Sequence, residues 1–149
     1  RIETRIATGN ATNREKIELY LLYNLLERKE LASRHALSLL EEPTLTEIEL
    51  RTLISEFAKQ KRYALTEKGL RQILVLKPND LEAYANLAII ELIQGKESAF
   101  WKSCKQMVEL QGEPAIRLLQ EDPRFKTVRD HPRMRRLLGK KPQPLNLSL

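Results

Sequence analysis

Groups able to make or break covalent bonds are few in this chain, and their spacing keeps them apart. The two histidines, His35 and His131, are distant in sequence, and neither belongs to an HExxH pair, a Ser-His-Asp arrangement or a ligand-spaced cluster. His35 falls near Arg34 and Ser38 on a predicted helix, and both imidazoles are expected at the surface or in a cap. The single cysteine, Cys104, excludes an internal disulfide and any multi-cysteine metal site. Its place on the inward side of a predicted helix makes it a packed core thiol, since free cysteine is among the most buried residue types. Gly9, Gly69, Gly95, Gly112 and Gly139 are dispersed, so no glycine-rich loop cradles a phosphate. Glu41-Glu42 and Glu121-Asp122 stand beside turns, where solvated carboxylates are expected. Catalysis needs polar groups converging in a closed pocket. The sequence supplies none, so the expectation is a protein that is not an enzyme and uses no metal or cofactor.

Charge offers a second kind of chemistry. Between residues 124 and 141 eight basic residues face Asp130 alone, a local net of +7 against +6 for the whole chain. The pI near 9.5 is therefore a local property. Such a patch could hold a phosphate backbone or anionic headgroups by counterion release and screening-sensitive attraction. The candidates are Arg124, Arg129, Arg133, Arg135 and Arg136. Against that reading, only Phe125 interleaves the cations, so no stacking platform for single strands exists. A terminal helix must also be polar outward, and Lys and Arg near helix ends are favoured in any case. Nucleic acid or an acidic membrane surface is thus the alternative partner class, and a protein or peptide the preferred one.

The elements that would position these residues are helical. At 149 residues the chain can bury a continuous core, and 31% charged with 42% hydrophobic residues and few glycines suits a helical protein, not disorder or a sheet. No run approaches ~18 apolar residues, so no transmembrane segment is expected. The sequence begins at Arg1 without methionine and shows no signal-like apolar core, as a piece of a longer polypeptide would; the compartment is not specified.

Hydrophobic spacing sets the units. Leu50, Leu53, Ile54 and Phe57, then Leu70, Ile73, Leu74 and Leu76, follow the three-and-four spacing of two amphipathic helices. Lys59-Gln60-Lys61-Arg62 lies between them and Pro78-Asn79-Asp80 after them. A shift of thirty-four residues reproduces the pattern twice. Downstream, Tyr84, Leu87, Ala88 and Gly95 take the corresponding places; upstream, Leu19, Tyr20 and Tyr23 precede Ala32 and Ala36, whose small side chains suit close helix approach. Thr12 with Glu15, and Thr46 with Glu49, have capping-box spacing, and Asp80 is a third N-cap.

This register resembles the tetratricopeptide repeat, a helical hairpin with a large residue at position four, Leu at seven, a small residue at eight, an aromatic at eleven and Pro at thirty-two. Leu50, Leu53, Phe57 and Pro78 match in kind, as do Tyr84, Leu87, Ala88 and Gly95. Ile54, Thr66, Leu70 and Glu91 depart, and Phe100 stands where alanine is usual, so a one-residue slip placing Ala99 there is expected. The resemblance covers residues 13–112. After Pro114 the register ends, and Asp122-Pro123 with Phe125 resembles the closing segment of bacterial arrays of this kind. Physically, the last repeat needs such a cap over its apolar face.

The resemblance implies an all-α fold, a right-handed superhelical array of antiparallel helix pairs. The expected organisation is a lead-in at 1–12, hairpins at 13–46, 47–80 and 81–114, basic capping helices at 115–139 and a flexible tail at 140–149. It also implies a scaffold or adaptor that binds another protein or a peptide on the concave side formed by the first helix of each unit. Carried over position by position, that side holds Arg14, Ile17 and Leu21, then Ile48, Arg51, Ser55 and Lys59, then Asn86 and Ile89. The competing expectation is that Leu21, Leu25, Ile89 and Ile93 pack on neighbouring helices. The carboxylate clamp of some family members is absent, because Ile17, Leu21, Thr52, Glu82 and Asn86 occupy its places. Self-association through an exposed Phe100 or Trp101 is a further expectation.

Overall fold

The computed structural model describes Glu3, Arg5 and residues 9–139. The expected tail, with Lys140 and Lys141, and most of the lead-in lie outside the described residues. Among these the regular structure is entirely helical, with no strand. In order come α1 (Asn13–Leu25), α2 (Lys29–Leu40), α3 (Glu47–Lys59), α4 (Tyr63–Leu76), α5 (Leu81–Ile93), α6 (Glu97–Gln111), α7 (Glu113–Glu121), a short 3-10 helix (Pro123–Val128) and α8 (Pro132–Leu138). Two compact units share them, one ending at Leu76 and one starting at Lys77.

The thirty-four-residue spacing is written into local geometry. First helices open at Asn13, Glu47 and Leu81, and second helices at Lys29, Tyr63 and Glu97. Thr12 and Thr46 each accept from the amide three residues on, at 3.1 and 3.2 Å, while Glu15 and Glu49 reach back to the threonine N–H; Asp80 accepts from Ala83 at 3.0 Å. These bonds satisfy amides that the first helical turn leaves open. Two residues past the end of each first helix stands a residue of positive φ, Glu27 at 58°, Lys61 at 58° and Gly95 at 76°. The next amide then donates back to the helix: Arg28 to Tyr23, Lys96 to Glu91 and Arg62 to Phe57, at 2.8 to 2.9 Å. This left-handed closure turns the chain sharply enough for α2, α4 and α6 to pack on their predecessors.

In the first unit the core contains Tyr20, Ala32, Ala36, Leu53, Phe57 and Ile73, all fully buried. Tyr20 and Phe57 meet edge to face with centroids 5.4 Å apart, a preferred aromatic arrangement. Tyr20 also takes a hydrogen bond from Arg62 at 3.1 Å and donates one to Gln60, so its buried hydroxyl is satisfied. Burial pushes its phenol pKa up. Gly69 on α4 makes room for the branched side chain of Ile54 on α3. A Cβ on Gly69 would lie 2.6 Å from Ile54 Cγ1. The small residue of this contact stands on α4.

In the second unit Phe100, Trp101, Cys104, Met107, Ala115, Leu119, Phe125 and Met134 form the core with Ala85 and Ala88, and Tyr84 packs against it. Phe125 stacks at 6.2 Å from Phe100, which packs the 3-10 helix onto α6. Two expectations are corrected. Phe100 is fully buried and α6 starts in register with α2 and α4, so there is no one-residue slip onto Ala99. Burial of Phe100 and near-burial of Trp101 remove them as exposed self-association contacts. Helix α6 closes at Gly112, and Pro114 sits in the first turn of α7, where its missing N–H costs nothing.

Candidate functional site

The positions expected to bind a partner divide sharply in their exposure. On α3, Ile48, Arg51, Thr52, Ser55, Ala58 and Lys59 are all exposed. On α1, Arg14, Glu18, Leu21 and Leu25 are exposed, whereas Ile17 is buried. Leu25 and Ile48 stand 79% and 78% open to solvent, so the expectation that Leu25 packs on a neighbouring helix fails. Leu21, at 36%, is likewise exposed. Helices α1 and α3 pack together within the first unit, and equivalent positions of two packed hairpins share a face. Ile48, Arg51, Thr52, Ser55 and Glu56 line a shallow depression on it. Arg51 pairs with Glu47 at 2.9 Å and Lys59 with Glu56 at 3.0 Å. Both pairs are exposed, so they hold the cations in place weakly and exchange readily.

The equivalent positions of α5 are arranged differently. Ala85 is buried, and Ile89 packs against the second unit's core, while Ile93 is exposed at 53%. Asn86 Oδ1 accepts from Arg124 Nη1 at 2.6 Å, and the same guanidinium reaches Glu82 at 3.3 Å and Asp122 at 2.8 Å. The closing segment therefore lies on the part of α5 that the sequence offered to a partner.

That contact also divides the basic segment. Arg124 is held by carboxylates and an amide, and its neighbour Asp122 is kept below the usual carboxylate range first by the Arg124 side-chain hydrogen bond. Arg129 donates to the carbonyls of Leu119 and Asp122 at 3.2 and 2.7 Å, closing the end of α7. Arg135 lies 3.9 Å from Asp130. Arg133 stacks over the Trp101 ring, 5.4 Å from its centroid, and Arg136 is exposed on the same helix. The five arginines do not form one stripe.

Comparison with family models, with curated proteins and with solved structures finds no match to this chain.

Groups that could act chemically remain dispersed. His35 is half-buried, not at the surface as expected; its Nε2 lies 2.7 Å from the Lys16 carbonyl, and burial lowers its pKa. His131 caps α8, with Nδ1 3.1 Å from the Arg133 amide. The Cys104 thiol is buried as expected, and burial, with the Glu91 charge as a smaller cause, pushes its pKa up to about 12. A thiolate is withheld at neutral pH, and with it nucleophilic reactivity. Among the described residues no group of His, Cys, Asp and Glu could hold a metal. No helix there is long and apolar enough to cross a membrane.

Sequence reasoning marked Glu91 only as a departure from the repeat pattern and missed its burial. It occupies the place of Tyr23 and Phe57 in the other hairpins, is 1% exposed, and accepts from Ser103 Oγ at 2.6 Å. A buried carboxylate needs such a donor, and the signals were a charge at the place of two aromatics and a hydroxyl-bearing residue at the place of Gly69 in the preceding unit.

Proposed function

We propose that the chain is a tetratricopeptide-repeat-like module, a right-handed array of helical hairpins, that works by binding another protein or a peptide. The recurring cap, turn and helix starts support the fold reading. The observation that carries the functional reading is the face shared by α1 and α3, where Leu21, Leu25 and Ile48 stand in water beside Arg51, Ser55 and Lys59. Exposed leucine and isoleucine on rigid helices are anchors that lose little entropy when a partner covers them. Flanking cations and a hydroxyl would fix the polar ends of an extended or helical segment. The half-buried and internally bonded positions of α5 leave the first unit as the principal docking surface.

Selection of a random peptide library against the chain tests this reading. Peptides recovered should bind the unaltered chain and lose about tenfold or more in affinity to a Leu25→Asp, Ile48→Asp double variant, the loss expected when anchor residues are removed. Because both side chains are exposed, the variant's thermal melt should stay close to that of the parent. Peptides that bind parent and variant equally well would place the docking site elsewhere.

A further inference from the structure

A second surface lies in the other unit, where α8 packs on α6. Trp101 and Lys105, one turn apart on α6, face Arg133, Arg136 and Leu137 on α8 across an open groove of roughly 370 Å³. Its apolar lining is the Trp101 indole and half-buried Leu137, and the other lining residues are three cations, with no carboxylate among them. Lys105 pairs with Glu109 at 3.9 Å, with both side chains largely exposed, so that pair is weak and displaceable.

We propose that this groove docks a short acidic peptide segment of a partner protein, its carboxylates on Lys105, Arg133 and Arg136 and one apolar side chain on Trp101 and Leu137. Arg133 is pre-positioned for this. Its guanidinium lies over the indole, which restrains the plane and leaves the edge for carboxylate oxygens. Charge complementarity selects an anion, and the apolar lining selects one that carries a hydrocarbon side chain among its charges. A nucleic acid fits less well. Trp101 is only 8% exposed, and Arg133 and His131, the latter 4.8 Å away, crowd the indole, so no base can stack on it. Arg124 and Arg129 are tied to the chain's own carboxylates and carbonyls, which removes the continuous row that a phosphate backbone follows. A flat membrane fits less well too, because the apolar groups are recessed below the cations. The inference is independent of the strip on α1 and α3.

Trp101 is the chain's one tryptophan, so its emission reports on this groove alone. A blocked synthetic peptide of glutamates and aspartates around a central leucine should change that emission saturably when titrated into the full chain. Lys105→Glu and Arg136→Glu should each weaken binding by about tenfold, within the range of close charge pairs across interfaces. Arg117→Glu on α7 makes the same change in net charge outside the groove and should leave the affinity unaltered. Both groove residues are exposed, so the folds should survive; if Arg136→Glu lowers the melting temperature, Lys105→Glu carries the test. Absence of a saturable change overturns the proposal. So does equal weakening by Arg117→Glu, or binding of a DNA duplex or phosphatidylserine vesicles as tight as that of the peptide at equal charge concentration.

Discussion

Gly69 carries a packing role that its position in the middle of α4 makes costly. Glycine inside a helix is worse than alanine by about 1 kcal/mol, so its presence needs a reason, and Ile54 supplies it: a Cβ there would come within 2.6 Å of Cγ1 and 3.1 Å of Cδ1 of that side chain. Neither atom can swing clear easily, because Ile is branched at Cβ and stiff about χ1. Gly69→Ala is expected to destabilise the chain by about 1–3 kcal/mol in urea unfolding, the range for overpacking a filled core. In an Ile54→Ala background the same substitution should be neutral or stabilising, because helix propensity then acts without the clash. Equal effects in both backgrounds would separate the two residues. Neither side of this pair was legible from one hairpin: Ile54 read as a departure and Gly69 as one dispersed glycine, and only their distance joins them.

At the scale of the element, the turns that end α1, α3 and α5 share one conformation but not one residue type. Glu27, Lys61 and Gly95 all take positive φ, which costs a residue with a Cβ roughly 1–2 kcal/mol relative to the right-handed region and costs glycine little. The fold thus holds Glu27 and Lys61 against their preference, through the amide-to-carbonyl bonds that close each helix. Lys61→Gly is expected to raise stability by about 0.5–1 kcal/mol after the larger chain entropy of glycine is deducted, and Gly95→Ala to lower it by about 1 kcal/mol. Opposite signs in a thermal melt are the check; a loss at both sites would mean that side-chain contacts outweigh the backbone. The sequence announced the turn at Gly95 and hid it at Glu27 and Lys61, where only the thirty-four-residue spacing pointed. The caps were easier, since Thr12, Thr46 and Asp80 carry their oxygen in the residue type itself. Helix existence and pairing were legible for the same reason: apolar spacing is local. The Arg124 contact with Asn86 joins residues 38 apart and depends on how the closing segment folds back, which no local pattern encodes. Of the expected positions, Arg14, Leu21, Ile48, Arg51, Ser55 and Lys59 on α1 and α3 stand exposed, whereas Ile17 on α1 is buried and Asn86 and Ile89 on α5 are half-buried.

Across the molecule the chemical character of the two candidate surfaces differs, and ionic strength tells them apart. The face of α1 and α3 is led by Leu25 and Ile48, whose contribution to binding is removal of apolar area from water and gains little from charge. The groove between α6 and α8 is led by Lys105, Arg133 and Arg136, in a chain whose whole excess of positive charge falls between residues 124 and 141. Raising salt from about 0.1 M to about 1 M shortens the screening length from roughly 10 Å to 3 Å. A library-derived peptide on the first face should then keep its affinity within about threefold, while the acidic peptide in the groove should lose about tenfold or more, as rim charges act through long-range attraction. Arg136→Glu should leave the first affinity unchanged, and Ile48→Asp the second. Calorimetric titration of each peptide against each variant at both salt concentrations measures all of these at once. Parallel loss of both affinities with salt would assign both peptides to one cationic surface and remove the apolar face from the account of binding.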